Sequence, residues 1–153
     1  MPKYRKIVVP TDFSAGSQAA FAMALELAKE HGSEIVLVHV VEPPVYPGVG
    51  LAGSTNFPAV YQELRQAAEA HMQRIIGEEV PDGMTCRAVL RDGRPFHEVV
   101  ELAAEEKADL IVIATHGYTG LKHFMLGSTA ERVVRLAGCP VLTCRPPAAE
   151  GAA

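Results

Sequence analysis

The residues best suited to chemistry lie in two short segments, each of which follows an apolar run. The first segment reads Pro-Thr-Asp-Phe-Ser at 10–14, and the second reads Ala-Thr-His-Gly-Tyr-Thr-Gly at 114–120 and is followed by the Gly-Ser pair at 127–128. Gly117 and Gly120 would let backbone N–H groups approach a ligand, and a helix beginning at the Gly-Ser pair would add its positive end. The second segment therefore has the composition of a phosphate-binding loop.

A purely structural role for the second segment is equally consistent with its residues. Ser128-Thr129-Ala130-Glu131 matches the capping box, in which a hydroxyl and a carboxylate satisfy backbone donors at a helix start. The capping box would by itself account for Ser128, and the glycines could serve only to shape a turn. The chain has neither the Gly-x-x-x-x-Gly-Lys-Ser/Thr loop of P-loop hydrolases nor a Gly-x-Gly-x-x-Gly loop after its first strand, so those two kinds of nucleotide site lose their usual support.

The remaining polar residues offer little catalytic chemistry. His31, His71 and His97 fall on separate predicted helices without metal-ligand spacing, and His39 ends a predicted strand, as a packed histidine would. His116 is placed to approach a phosphate, but no neighbouring carboxylate marks it as a base, which favours a structural role in the turn. Because no nucleophile–base pair, metal-ligand cluster or P-loop lysine accompanies the loop, the sequence predicts a binding protein rather than an enzyme, with slow hydrolysis left open.

Alternation of apolar runs with helical patterns predicts the elements that position these segments. Strands are expected at 6–10, 34–41, 84–90, 110–114 and 141–144. The second and fourth are continuous runs of Val, Ile and Leu, which is typical of strands covered on both faces. The pattern predicts an α/β domain with a parallel sheet, in which ligands bind beyond the carboxyl ends of the strands. Both polar segments occupy that position.

Four helices are expected between the strands, at 14–31, at 58–79, from Pro95 onward and at 128–136. Gly32 would end the first helix, and Pro95 suits a first helical position because its missing N–H would have no partner there. The second helix carries one stripe that is predicted to pack on the sheet, formed by Val60, Leu64, Ala67, His71 and Ile75.

Length and composition are those of one globular domain, predicted over 1–146 with a frayed tail at 147–153. The 153 residues are 48% hydrophobic and 21% charged with a formal charge of −4, which disfavours disorder and nucleic-acid binding. Three cysteines without a Cys-x-x-Cys pair favour a reducing cytoplasm, and no apolar run reaches the ~20 residues of a membrane span.

The Pro- and Gly-rich segment 42–56 is predicted to be an irregular loop that acts as a lid, binds a partner or has no function.

The motifs, taken in order, resemble those of the universal stress protein family. They are Pro-Thr-Asp-Phe-Ser after the first strand, His-Val ending the second, Thr-His-Gly, nine residues and Gly-Ser after the fourth, and a closing Cys-Pro-Val-Leu. The resemblance covers nearly the whole chain. It implies a Rossmann-like fold of the adenine nucleotide alpha hydrolase type, with a five-stranded parallel sheet, helices on both faces and strand order 3-2-1-4-5.

The ATP-binding branch of that family carries Gly, two residues, Gly, nine residues, Gly and Ser or Thr after the fourth strand. The residues of this chain at those places are Ala114, Gly117, Gly127 and Ser128. The implied ligand is ATP, alone or with Mg²⁺. By the same resemblance Asp12 would accept hydrogen bonds from the ribose hydroxyls, unless it serves as an N-terminal cap or dipole partner for the first helix. The backbone of Val40 would hold the adenine. The other residues implied to line the site are Pro10, Thr11, Ile113, His116, Gly120 and Thr129.

The resemblance leads to the hypothesis of a cytoplasmic stress-response sensor or adaptor that binds ATP as a regulatory ligand and acts on an unknown downstream protein. The alternative is an interaction module of the same family without a nucleotide, which is favoured by Ala114 in place of the first Gly and by Tyr118 where relatives often carry Arg or Lys. A phosphate-accepting receiver domain fits poorly, because Asp12 stands alone and no lysine follows the fifth strand.

A homodimer is expected at the fifth strand, which lies at one edge of the sheet in the implied order. That strand, Val141-Leu142-Thr143-Cys144, carries no charge, and Pro140 and Pro146 bound it without interrupting it. Two copies related by a two-fold axis would pair it with itself in antiparallel orientation.

Overall fold

A computed structural model describes residues 4–43, 57–116 and 126–146. The predictions for Gly117, Gly120, Tyr118, the greater part of the 42–56 segment and the tail at 147–153 lie outside the described residues.

Strands and helices alternate through the described residues in the predicted order. The strands are β1 Lys6–Pro10, β2 Glu34–Val41, β3 Cys86–Asp92, β4 Leu110–Ala114 and β5 Val141–Cys144, and the helices are α1 Ala15–His31, α2 Phe57–Glu79, α3 Pro95–Glu105 and α4 Ser128–Leu136. The strands form one sheet in the order β3-β2-β1-β4-β5, and every strand pair is parallel. This confirms the predicted fold class and strand order.

Helices cover both faces of the sheet. Alternate residues of each strand point to opposite faces, so each strand contributes to two cores. In β1, Ile7 and Val9 pack in one core with Phe21 of α1 and Met72 of α2. Val8 faces the other side, in a second core formed with residues of α3 and α4. The central strands are therefore buried on both faces, as their continuous apolar runs predict.

The third strand begins and ends two residues later than the pattern predicts. Met84, expected to start it, lies in a turn where its N–H donates to the Pro81 carbonyl. Pairing with β2 begins near Cys86 and continues to Asp92, which lies opposite Val41. Because β3 ends later, β2 and β3 stay paired beyond the end of β1, and the last residues of β2 have no described strand on their β1 side.

The predicted apolar face of α2 is wrong in the first half of the helix. Val60 and Leu64 are about half exposed, at 51% and 50%, whereas the buried residues are Ala68, Met72 and Ile75. The face of the helix that packs on the sheet is therefore shifted by one residue from the predicted one. Tyr61 and Arg65 lie on the side of the helix that faces the sheet, and both bond the Asp92 carboxylate at the end of β3. A pattern of apolar residues alone does not take account of half-buried polar side chains that bond a partner on a neighbouring strand.

The fifth strand forms one edge of the sheet, and its peptide groups alternate in direction. The carbonyls of Pro140 and Cys144 accept from Ile111 and Thr115, on the β4 side of the strand. By alternation the peptide groups of Leu142 also face β4, and those of Val141 and Thr143 face outward.

Candidate functional site

A cavity of about 440 Å³ lies beyond the carboxyl ends of β1, β2 and β4. The pairing of β1 with β4 covers only Ile7 and Val8 of β1, so the two strands separate towards their carboxyl ends. The chain crosses from β1 to β2 on one side and reaches β4 on the other, which makes this point the topological switch of the sheet. Such a crevice is where parallel α/β sheets bind ligands, and the volume is in the range of small-molecule sites.

One wall of the cavity is the free edge of β2 past the end of β1. The Val38 carbonyl accepts from Thr11 N–H at 2.8 Å, on the β1 side, and the Val41 carbonyl accepts from Gly93 N–H at 3.1 Å, on the β3 side. Because neighbouring residues of a strand alternate in direction, the N–H and C=O of Val40 point to the β1 side, where no strand remains. This peptide edge can bind a planar ring that carries a donor next to an acceptor.

Asp12 lies in the turn from β1 to α1, where its carboxylate accepts hydrogen bonds from two residues at the start of the helix. Its Oδ1 accepts from Ser14 N–H at 2.9 Å and from the Ser17 hydroxyl at 3.0 Å. The Ser17 hydroxyl in turn accepts from the Thr11 hydroxyl at 3.2 Å, and Ser17 is only 4% exposed. The N-cap of α1 is Ser14, whose hydroxyl accepts from Ser17 N–H, so Asp12 is not the cap of this helix. Its carboxylate lies at the amino end of α1, so the alternative that Asp12 pairs with the helix dipole stays open.

The Asp12 turn depends on an unusual backbone conformation at Phe13, whose φ is +65°. A side chain in this left-handed region costs about 1–3 kcal/mol and persists only when its surroundings hold it. The Phe13 ring lies between two imidazoles, 4.1 Å from that of His71 and 4.5 Å from that of His39. His39 Nδ1 also donates to the Thr11 carbonyl at 2.8 Å, so it links the turn to the end of β2, as expected for a packed histidine.

The start of α4 differs from the predicted capping box. The N-cap residue is Gly127, so Ser128 is the first helical residue, and no side chain caps the helix. Glu131 pairs with Arg135 instead of returning to the helix start. Ser128 and Thr129 both line the cavity. Because the Ser128 hydroxyl does not cap the helix, it can donate a hydrogen bond to a ligand there.

Two glycines permit close approaches around this site. Gly127 donates to the Thr115 carbonyl at 2.7 Å, and a Cβ on Gly127 would lie 3.1 Å from that carbonyl oxygen. A Cβ on Gly16, in α1, would lie 2.7 Å from the His116 carbonyl oxygen and 3.4 Å from the Cβ of Ala114. The methyl of Ala114 therefore points to α1, where it packs in the core with Phe21.

The structure brings together ten of the twelve residues predicted to bind ATP, and the other two, Gly117 and Gly120, lie outside the described residues. The ten that line the cavity are Pro10, Thr11, Asp12, Val40, Ile113, Ala114, His116, Gly127, Ser128 and Thr129. His116 bonds its neighbour Thr115 through Nδ1, and its buried Nε2 has no partner among the described residues.

Sequence reasoning missed several residues that line the cavity, among them Ser17, Glu42 and Pro95. Ser17 lies five residues beyond Asp12 on the first turn of α1, which is a local signal that could have been found. The other two come from different elements, and only the tertiary structure places them beside Ser128.

The cysteines of the described residues have the properties of structural thiols. Burial raises the pKa of Cys86 to about 11, and burial also raises the pKa values of Cys139 and Cys144.

Across the ranges 4–43, 57–116 and 126–146, no group of three His, Cys, Asp or Glu residues could hold a metal ion. None of the helices in those ranges is long and apolar enough to span a membrane.

Comparisons with known proteins agree with this geometry. A family model described as the universal stress protein family matches residues 3–145. The universal stress protein MJ0531 of Methanocaldococcus jannaschii is 37% identical over 147 residues, which cover 96% of this chain and 85% of the relative. The structure of the universal stress protein UspA from Lactobacillus plantarum superposes with a TM-score of 0.79 at 28% identity, and covers 93% of this chain and 98% of that one. A universal stress protein in complex with cAMP superposes with a TM-score of 0.62 at 26% identity, with 94% and 98% covered.

Proposed function

Because this chain belongs to the universal stress protein family, we propose that it binds ATP as a regulatory ligand in the cavity at the carboxyl ends of β1, β2 and β4. One observation carries the proposal: the cavity joins three groups that suit the three parts of a nucleotide. The peptide edge of Val40 suits the base, the Asp12 carboxylate suits a ribose diol, and the amino end of α4 suits phosphates.

The Val40 edge supports adenine over guanine. Adenine has a ring acceptor beside an amino donor, whereas guanine has a ring donor beside a carbonyl acceptor. A fixed peptide N–H and C=O can match one of these orders, and the other order would leave a desolvated polar group unpaired, which costs about 1–3 kcal/mol. That cavities of this fold accept an adenine nucleotide is supported by the similar structure in complex with cAMP.

The role proposed for the bound nucleotide is regulatory. Ser128, Thr129 and His116 line the phosphate end, and within the described chain no hydrogen bond joins any of them to a carboxylate that would activate it. Binding that orders the Asp12 turn and the start of α4 would change the surface around the cavity, which a downstream protein can read.

Calorimetry with MgATP, MgGTP, AMP and cAMP tests this function. ATP is expected to bind more tightly than GTP and to raise the midpoint of thermal unfolding, because a ligand that binds only the folded state stabilises it. Asp12→Asn should reduce ATP affinity, whereas Asp82→Asn, an exposed carboxyl in the turn before β3, serves as the matched control. Absence of heat and of a thermal shift at millimolar MgATP would refute nucleotide binding and favour the interaction module.

We also propose that two copies of the chain pair through β5. The strand is an open edge of the sheet, its outward peptide groups belong to Val141 and Thr143, and Leu142 is 38% exposed. An uncharged edge of this kind favours antiparallel pairing with an identical strand. Light scattering at micromolar concentration should give twice the 16.4 kDa mass of the chain.

A further inference from the structure

A second cavity adjoins the first one at its phosphate end. Its volume is about 260 Å³, and it shares Glu42, Pro95, Ser128 and Thr129 with the larger cavity. Its remaining lining residues are Arg94, Phe96 and Arg132. The second cavity therefore extends the site from the start of α4 towards the start of α3.

The two arginines of the second cavity are not neutralised by described carboxylates. Arg87, Arg91 and Arg135 all form ion pairs, but neither Arg94 nor Arg132 does so with any residue of the described chain. The guanidinium of Arg132 lies 4.7 Å from the centre of the Phe96 ring, which holds the charge beside the cavity. Among the described residues that line this cavity Glu42 is the one acidic residue, so together with the two guanidinium groups they leave a formal charge of +1.

Both helices that border the second cavity begin there without a side-chain cap. The N-cap of α3 is Arg94, whose side chain does not bond the first turn, and the N-cap of α4 is Gly127, which has no side chain. The peptide N–H groups of the first turn of α4, and those of Phe96 and His97 in α3, add partial positive charge to that of the two arginines, whereas Pro95 has no N–H. A ligand that fits this chemistry carries several negative oxygens and reaches the cavity past Ser128.

We propose that the second cavity takes the outer phosphates of a nucleoside triphosphate, and that Arg132 and Arg94 make the site select triphosphates over monophosphates. This inference rests on the function proposed above. A monophosphate would be held at the start of α4 and would leave the arginines unused, whereas the β- and γ-phosphates would accept charge-assisted hydrogen bonds from the guanidinium groups. The preference for ATP over AMP then measures the contribution of the second cavity.

Calorimetric titrations with ATP, ADP and AMP test this assignment in the wild type, Arg132→Gln and the double variant Arg94→Gln/Arg132→Gln. We expect the wild type to prefer ATP over AMP by about tenfold or more, and Arg132→Gln to lose most of that preference with little change in AMP affinity. Arg135→Gln is the matched control, because Arg135 lies on the same helix and pairs with Glu131 outside both cavities. Circular dichroism confirms that each variant is folded.

The outcomes separate this inference from the function on which it rests. Equal affinities for ATP and AMP, or an ATP preference that the double variant keeps, would overturn the second cavity as the selecting element while nucleotide binding stands. Inorganic tripolyphosphate provides the reverse test. If no nucleotide binds but tripolyphosphate does, and Arg132→Gln weakens it, the anion cavity stands and the proposed function fails. If neither nucleotide nor tripolyphosphate binds, both are refuted.

Discussion

Replacement of Ser17 by alanine should weaken nucleotide binding through Asp12, although Ser17 itself is almost fully buried. The Ser17 hydroxyl accepts from the Thr11 hydroxyl at 3.2 Å, and its single proton is shared between Asp12 Oδ1 and the Ser14 carbonyl, each at 3.0 Å. Alanine removes the Ser17 bond to Oδ1 and keeps the bond from Ser14 N–H. The carboxylate would then sample other orientations, so that fewer molecules present it correctly to the ribose.

The expected magnitudes follow from these contacts. A hydrogen bond to a charged group contributes about 1.5–3 kcal/mol, and a bond between neutral hydroxyls about 1 kcal/mol. Part of the first is recovered by water, because Asp12 is exposed, so the stability loss should be about 1–2 kcal/mol. For a chain of this size that loss lowers the unfolding midpoint by roughly 2–8 °C. The affinity for ATP should fall about fivefold, which corresponds to about 1 kcal/mol.

Ser33→Ala is the matched control for this experiment. Ser33 is also 4% exposed and also donates its hydroxyl, to the Tyr4 carbonyl, but it does not line the cavity. Both variants should lose stability, and only Ser17→Ala should lose affinity for ATP. With a 2′,3′-dideoxy nucleotide, which has no ribose hydroxyls, Ser17→Ala and the wild type should bind equally.

Two results would refute the reasoning. Wild-type ATP affinity in Ser17→Ala would show that Asp12 is held without Ser17 or does not contact the nucleotide. An equal loss with ATP and with the dideoxy nucleotide would show that Ser17→Ala acts on the cavity as a whole, and that the ribose is not recognised through Asp12.

Three further predictions address the phosphate end, the edge strand and an ion-pair network. Gly127→Val should abolish ATP binding with the helical signal kept, because the valine side chain would fill space that the phosphates need at the start of α4. The new Cβ alone would lie 3.1 Å from the Thr115 carbonyl oxygen beside the cavity. Thr143→Pro should give a folded monomer, because it removes an outward N–H of β5, whereas Leu142→Pro should unfold the edge by breaking the ladder with β4. Glu106→Gln should cost about 1 kcal/mol at pH 7. Hydrogen bonds from Arg87 and Lys6 lower the pKa of Glu106 in the folded state, so this cost should vanish as the pH falls below the ordinary value of 4.5 and through the folded pKa.

Each of these predictions has a result that contradicts it. Normal ATP binding by Gly127→Val, measured by calorimetry, would mean that the phosphates lie elsewhere. A Thr143→Pro variant that is folded and dimeric by light scattering would place the interface on another surface. For Glu106→Gln, urea unfolding between pH 7 and pH 3 should show a loss that Glu30→Gln, an exposed carboxyl on α1, does not show. A loss that is independent of pH would rule out the charge network as its cause.

Much of the fold could be predicted because its signals are local. The strands β1, β2, β4 and β5 have the predicted bounds, and α1 begins at its Ser14 cap and ends before Gly32, which has a φ of +67°. Less could be predicted where two local signals compete. The residues 128–131 satisfy the capping-box pattern, yet the N-cap is Gly127 and not Ser128, and the N–H of Gly127 is bonded to the Thr115 carbonyl from a distant part of the chain.

The sequence by itself determined the order of the elements, the polar segments after β1 and β4 and the family, because periodicity and motif spacing are properties of neighbouring residues. The tertiary structure alone decided which side chains and peptide groups share a space. It turned α2 towards Asp92, directed the peptide groups of Leu142 inward and those of Thr143 outward, and brought Arg94 and Arg132 to one cavity. These facts depend on the pairing and packing of elements distant in the sequence, and the interactions that set them have no counterpart in any short stretch of the chain.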